Sequence, residues 1–221
     1  FGFAAIVAGG TRSNAVVPTA SARLLKTGEM VMLGLAPKVN GYAGVMGDLL
    51  PVAGNPNPAQ CECLACLREA FKLTRVQLVP GRTGREIDAP ARAFFERRGL
   101  SPYLVCPFVH TIGLHEAESP FFGPGSNDVL QPGMTVCVDI SFFGHPEWHG
   151  ARIETGFPMI DRTEHDVARA AQRRTARIDA GRHPRMTEPG AIGLRVLVVA
   201  VGAQRHPFRT IGHFQSAFAA R

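Results

Sequence analysis

An α+β fold, with helices on one face of a curved antiparallel sheet, is predicted from three features of the sequence. Residues 29–52 alternate and turn as a hairpin does. Two capped amphipathic helices follow, and then short, strongly apolar strands run on towards residue 160. Runs of strands and runs of helices, rather than strict alternation, separate this pattern from a parallel sheet.

The elements follow in order. Met30-Val-Met-Leu-Gly-Leu, then Pro37-Lys38, Asn40-Gly41 and Tyr42-Ala-Gly-Val-Met read as a hairpin. Asn55-Pro-Asn-Pro58 breaks the sheet and opens a helix that runs to about Arg75. After Val79-Pro-Gly-Arg, Thr83 caps a second helix with Glu86 three residues on, as in a capping box. Ala91, Phe94 and Phe95 give that helix an apolar face until Gly99 ends it. Tyr103-Leu-Val-Cys106 reads as a short buried strand leading into Pro107–Glu116, and residues 120–132 read as loop. Gly133–Ser141 and Ala151–Ile160 are the last strands.

Composition bounds the class. The 221 residues are 45% hydrophobic and 19% charged, as in an ordinary globular chain with one substantial core. The longest apolar run, Val196–Val201, has the length of a strand, so no membrane span is expected. The chain opens at Phe1 without initiator Met, basic leader or cleavage site. This suggests a trimmed piece, and the cytoplasm rather than secretion. The five cysteines are an odd number, which favours free thiols in a reducing compartment. Cys61, Cys63 and Cys66 form a CxCxxC cluster without a fourth donor at metal-site spacing, and they read as small thiols on a helix face. Cys106 and Cys137 stand alone.

The whole net charge of +6 lies in residues 161–221, which hold eleven Arg, no Lys and five acids, while residues 1–160 balance at zero. Two units are therefore expected: a domain over 1–160 and an Arg-rich tail over 161–221 with a helix at Asp161–Ala180 and a strand at Leu194–Val201. Lacking interleaved aromatics and any reader motif, the tail is not expected to bind nucleic acid.

Three residues carry the chemistry. Hydrolysis of an amide by a divalent cation needs His and carboxylate ligands with a position left for water, because the ion acidifies that water and polarises the carbonyl. His110 lies before a Gly turn, Asp139 lies within the apolar strand Val136-Cys-Val-Asp-Ile, and Glu154 lies in the next strand. Asp139 is costly to bury unpaired. Glu154 follows Arg152 by two, so both share a strand face. The competing reading has His110 hydrogen-bonded to Asp139 and Glu154 paired with Arg152, with no ion. His145 and His149, flanking Glu147-Trp148, read as lining a loop, and Trp148 with Phe142-Phe143 as core or the wall of a pocket.

His110-Thr-Ile-Gly-Leu, Leu130-Gln-Pro-Gly-Met-Thr-Val-Cys-Val-Asp139 and Gly150-Ala-Arg-Ile-Glu154 resemble the second half of the pita-bread fold of methionine aminopeptidases, Xaa-Pro dipeptidases (prolidases) and creatinase. Ile6-Val-Ala, Ser21 with Arg23, Gly28-Glu29-Met-Val, Asn40-Gly41-Tyr42, Pro51-Val, Pro80-Gly, Gly84 and Ile87-Asp88 stand in that family's order, so the resemblance covers about residues 3–160. It implies a metal-dependent peptidase. In that family five ligands hold two metals: two Asp from the hairpin, one His and two Glu.

Carried over, His110 matches the His, Glu154 the final Glu and Asp139 the first Glu, although Asp is shorter by about 1.5 Å. The two hairpin Asp fall on Gly34 and Val45, which bind no ion, and Asp48 lies off the pattern. Of the family's two catalytic His, the first falls near Val17. The second falls on Ala117, or on His115 with a two-residue gap, with Glu116 and Glu118 beside it. The expectation is therefore one divalent ion (Mn, Co, Zn or Fe) on His110, Asp139 and Glu154, with His115 as the catalytic proton donor and a peptide as substrate or ligand. The alternative is a catalytically inactive pita-bread domain that binds a peptide or protein. A preceding portion of chain, or a homodimer, would complete the pocket.

Overall fold

The computed structural model describes residues 5–159. The expected helix and strand of the 161–221 tail, and with them the nucleic-acid reading, lie outside the described residues.

Nine strands and two helices follow one another along the chain. They are β1 (Ile6–Gly9), β2 (Met30–Leu35), β3 (Lys38–Val39), β4 (Tyr42–Ala43), β5 (Met46–Pro51), α1 (Pro58–Arg75), α2 (Gly84–Glu96), β6 (Val109–Thr111), β7 (Glu118–Phe121), β8 (Thr135–His145) and β9 (His149–Pro158). Seven strands form one sheet in the order β1-β2-β5-β9-β8-β6-β7, all neighbours antiparallel, and β3 pairs with β4 at the tip of the β2–β5 hairpin.

Local chemistry starts both helices. At α1 the Asn57 side chain accepts from the Gln60 N–H while the Gln60 side chain accepts from the Asn57 N–H, and Pro58 stands in the first turn. Cys63, Leu64, Cys66, Leu67, Ala70 and Thr74 form its buried stripe, so the CxCxxC cluster is packing, with Cys61 alone exposed. Thr83 and Glu86 make the expected capping box of α2, and Gly99, at φ 68°, turns the chain away three residues after it.

Alternation along β8 divides its side chains between two faces. Val136, Val138, Ile140 and Phe142 join Leu67, Ile87, Phe94, Phe95 and Phe108 in the core. Phe95 is its pivot, with ring centroids 5.7 Å from Phe108 and 6.4 Å from Phe142; truncating a ring so buried costs about 3–5 kcal/mol. Phe142 also carries Trp148 at 5.8 Å, and Trp148 stacks on His145 at 4.3 Å, so these aromatics belong to the packing at the β8–β9 turn.

Two expectations are corrected. Tyr103–Cys106 is not a strand: Ser101–Tyr103 is a single 3-10 turn and Val105 is exposed. Pro102 starts that turn and Pro107 closes the segment, which leaves no register in which it can pair. Conversely, part of the region read as loop forms β7. This short edge strand carries Pro120 and pairs only with β6.

Candidate functional site

Register builds the site. Ile6 stands opposite Gly34, Gly34 opposite Gly47, Gly47 opposite Glu154, and Glu154 opposite Asp139, giving one row across five strands. His110 stands opposite Cys137, two residues along β8 from that row, so Glu154 is a diagonal neighbour of Cys137. Cys137 and Asp139 occupy the face of β8 turned away from its core residues, and Arg152 and Glu154 share that face of β9.

All of these groups are buried, and each has found a partner. Arg152 Nε donates to Asp139 Oδ1 at 3.1 Å. His110 Nε2 lies 3.8 Å from Glu154 Oε1, and the Cys137 thiol donates to the same oxygen at 3.2 Å. His110 Nδ1 lies 3.0 Å from the Thr111 carbonyl. A carbonyl only accepts, so Nδ1 carries the hydrogen and Nε2 is the atom turned to Glu154. The pairing is therefore the reverse of the ion-free reading from sequence: histidine goes with Glu154 and arginine with Asp139.

The electrostatics follow from this pairing. Burial, and then the Glu154 charge, raise the Asp139 carboxyl to about 6 against the pull of Arg152. Burial would raise Glu154 as well, but the nearby His110 ring and the charge of Arg152 bring it below its ordinary value. Burial disfavours the His110 imidazolium, yet Glu154 outweighs it and the net shift is upward. Burial and the neighbouring carboxylates push the Cys137 thiol well up. With the imidazole protonated, two cations face two anions and the cluster is neutral.

The expected donors are thus partly assembled. Among the described residues, the group of three candidate donor atoms lying within 4.8 Å of one another is His110, Cys137 and Glu154. Asp139 is outside it, turned to Arg152. Cys137 was passed over as a solitary thiol, although its place two residues before Asp139 already set it on the same strand face. His115 is exposed in the 113–117 loop, where its N–H donates to Glu118 Oε1 at 2.6 Å. Glu116 is half-buried, and burial followed by the Glu154 charge pushes it up to about 7.

At Gly34 and Gly47 the hairpin leaves no room for a side chain. A Cβ on Gly34 would come within 2.9 Å of Ile6 Cδ1 and 3.1 Å of Ile6 Cβ, so Ile6 fills the space where a side chain at residue 34 would stand. A Cβ on Gly47 would come within 2.7 Å of Glu154 Cβ, so the glycine is what lets Glu154 lie across the hairpin. Val45 is an aliphatic neighbour of Gly156.

The family model of metallopeptidase family M24 matches residues 1–157. The chain belongs to metallopeptidase family M24. This M24 chain is 32% identical over 152 residues to the uncharacterized peptidase YqhT of Bacillus subtilis, covering 69% of the chain and 42% of that protein. It is 30% identical over 172 residues to an Xaa-Pro dipeptidase of Pyrococcus furiosus, covering 75% of the chain and 49% of the relative. Its fold is similar to that of prolidase from Pyrococcus furiosus, with a TM-score of 0.68 at 28% identity over 72% of the chain and 47% of that structure. It is also similar to Xaa-Pro dipeptidase from Bacillus anthracis, with a TM-score of 0.66 at 32% identity over 72% of the chain and 44% of that structure. The chain thus spans less than half the length of these relatives, and its sheet is the pita-bread sheet of this family. The donor groups present fit a divalent metal of the kind M24 peptidases use. An imidazole and a carboxylate converge, while Gly34 and Val45 supply no ligand atom.

Proposed function

We propose that this chain carries a metal-dependent, peptidase-like hydrolase site of the Xaa-Pro dipeptidase kind, working with one divalent ion (Mn, Co, Zn or Fe) on a peptide substrate in the cytoplasm. The observation that carries this reading is the approach of His110 Nε2 to Glu154 Oε1, 3.8 Å apart on a buried face. The ion, when bound, polarises the scissile carbonyl and acidifies a water. His110 and Glu154 hold it, and Asp139, opposite Glu154, is the carboxylate expected from sequence to join them. Arg152 keeps the charge of Asp139 balanced. Proton transfer falls to the 113–117 loop: His115 as donor to the leaving amine, or Glu116, whose raised value suits a group that gains and loses a proton near neutrality.

The second reading is a catalytically silent pita-bread domain that binds a peptide or protein, alone or as a homodimer. It is favoured by Ile6, which occupies the place of a hairpin ligand. Metal content and turnover separate the two. Under the hydrolase reading the full chain retains about one Mn, Co or Zn after dialysis and cleaves Xaa-Pro dipeptides, and His110→Ala and Glu154→Gln abolish both. If no ion is retained and added metal raises the melting temperature of neither the parent nor Asp139→Ala, the hydrolase reading fails and the binding reading stands.

A further inference from the structure

We propose that Cys137 is a ligand: His110 Nε2, Cys137 Sγ and Glu154 Oε1 form a mononuclear site for a thiophilic divalent cation of the zinc or cobalt class. The inference rests on the single-ion reading above and deepens it by exchanging Asp139 for a sulfur donor.

Three observations point to the sulfur. First, the three donor atoms lie within 4.8 Å of one another, with the Cys137 and Glu154 atoms already 3.2 Å apart, so bonds of about 2.0–2.3 Å to one centre need only a small closure of the longest separation. Second, Asp139 is outside this group and its Oδ1 is turned to the buried Arg152 guanidinium, from which it accepts a hydrogen bond. Third, the Nδ1–H bond to the Thr111 carbonyl presents the Nε2 lone pair of neutral His110 to the site, an outer hydrogen bond typical of ligating histidines.

Charge agrees with the geometry. On binding, the S–H bond of Cys137 breaks, its proton leaves to solvent, and neutral His110, the thiolate and the Glu154 carboxylate form bonds to the cation. A dication with a thiolate and a carboxylate is then neutral beside the unchanged Asp139–Arg152 pair, with no oxidation or reduction. Sulfur sets the preference: thiolates favour zinc, cobalt and copper(I) over manganese and magnesium. The three donors come from β6, β8 and β9, and the hairpin that bears Gly34 supplies no ligand atom to them.

Cobalt(II) tests this without reference to activity. The full chain, stripped with chelator and titrated with cobalt, should bind about one ion and show a near-ultraviolet sulfur-to-cobalt charge-transfer band. Cys137→Ser should lose the band and bind about tenfold or more weakly, while a variant with Cys61, Cys63, Cys66 and Cys106 changed to Ser or Ala keeps it. Should that last variant fail to fold, single replacement of each cysteine gives the same assignment. Cobalt bound by the unaltered chain with no such band, or a band that survives Cys137→Ser, overturns sulfur ligation and leaves the single-ion reading intact. No cobalt bound at all overturns both.

Discussion

Arg152 and Asp139 lie on adjacent strands one diagonal apart, and the 3.1 Å hydrogen bond from Nε to Oδ1 decides which carboxylate of the site face is committed to the protein. Asp139 is neutralised from within the sheet; Glu154, its opposite number, is left facing an imidazole and a thiol.

Arg152→Met should therefore destabilise the fold by about 3–5 kcal/mol, because it strands a buried carboxylate. Adding Asp139→Asn should restore a large part of the loss. Urea midpoints of the two single variants and the double variant measure the coupling, and additive effects would contradict the pairing.

Ile6→Ala should cost about 2–5 kcal/mol as a buried aliphatic truncation. Gly34→Asp should be poorly tolerated in the parent and better tolerated in the Ile6→Ala background, since Ile6 occupies the space a side chain there requires. The expected departure from additivity is about 0.5–3 kcal/mol in chemical denaturation.

Glu29 accepts from both guanidinium nitrogens of Arg23 and from the Lys26 N–H. Its carboxyl is lowered to about 2, first by the Arg23 hydrogen bond and then by Lys26. A depressed acid stabilises the fold above its unfolded value, about 4.3, and that contribution fades as pH falls to about 2. Glu29→Gln should flatten this part of the melting temperature against pH, and salt should weaken the effect in the parent because the pair is partly exposed.

Glu116 has the opposite sign. Burial, then the charge of Glu154, raise its carboxyl to about 7, so the folded chain holds a proton that the unfolded chain releases above about 4.3. Its contribution is present at low pH and lost as pH rises towards 7. Glu116→Gln should melt higher than the parent at pH 8, and the advantage should shrink at pH 5; a constant offset would contradict the assignment.

Much of this was legible in the residues. Asn57-Pro58 and Thr83 with Glu86 marked both helix starts, because capping is a local hydrogen-bond pattern. The strands bearing Asp139 and Glu154 are marked by their apolar content. What escaped depends on register between distant strands. Arg152 and Glu154 share a face, as their spacing requires, yet which of them meets Asp139 is set by a one-step diagonal that no single strand encodes. Cys137 escaped because a solitary thiol in a strand carries no spacing signature, and its neighbours come from β6 and β9. The failed strand at Tyr103–Cys106 shows the same limit: its apolar content is real, but two prolines leave it without a partner.

Among the described residues, β1, β2 and β5 meet the other strands of the sheet through two rungs, Met46 with Thr155 and Gly47 with Glu154. A seam that narrow lets the two sides accumulate substitutions at different rates. Carboxylates can vanish from one bank while the opposite bank, residues 109–158, keeps a self-sufficient set of electron-pair donors.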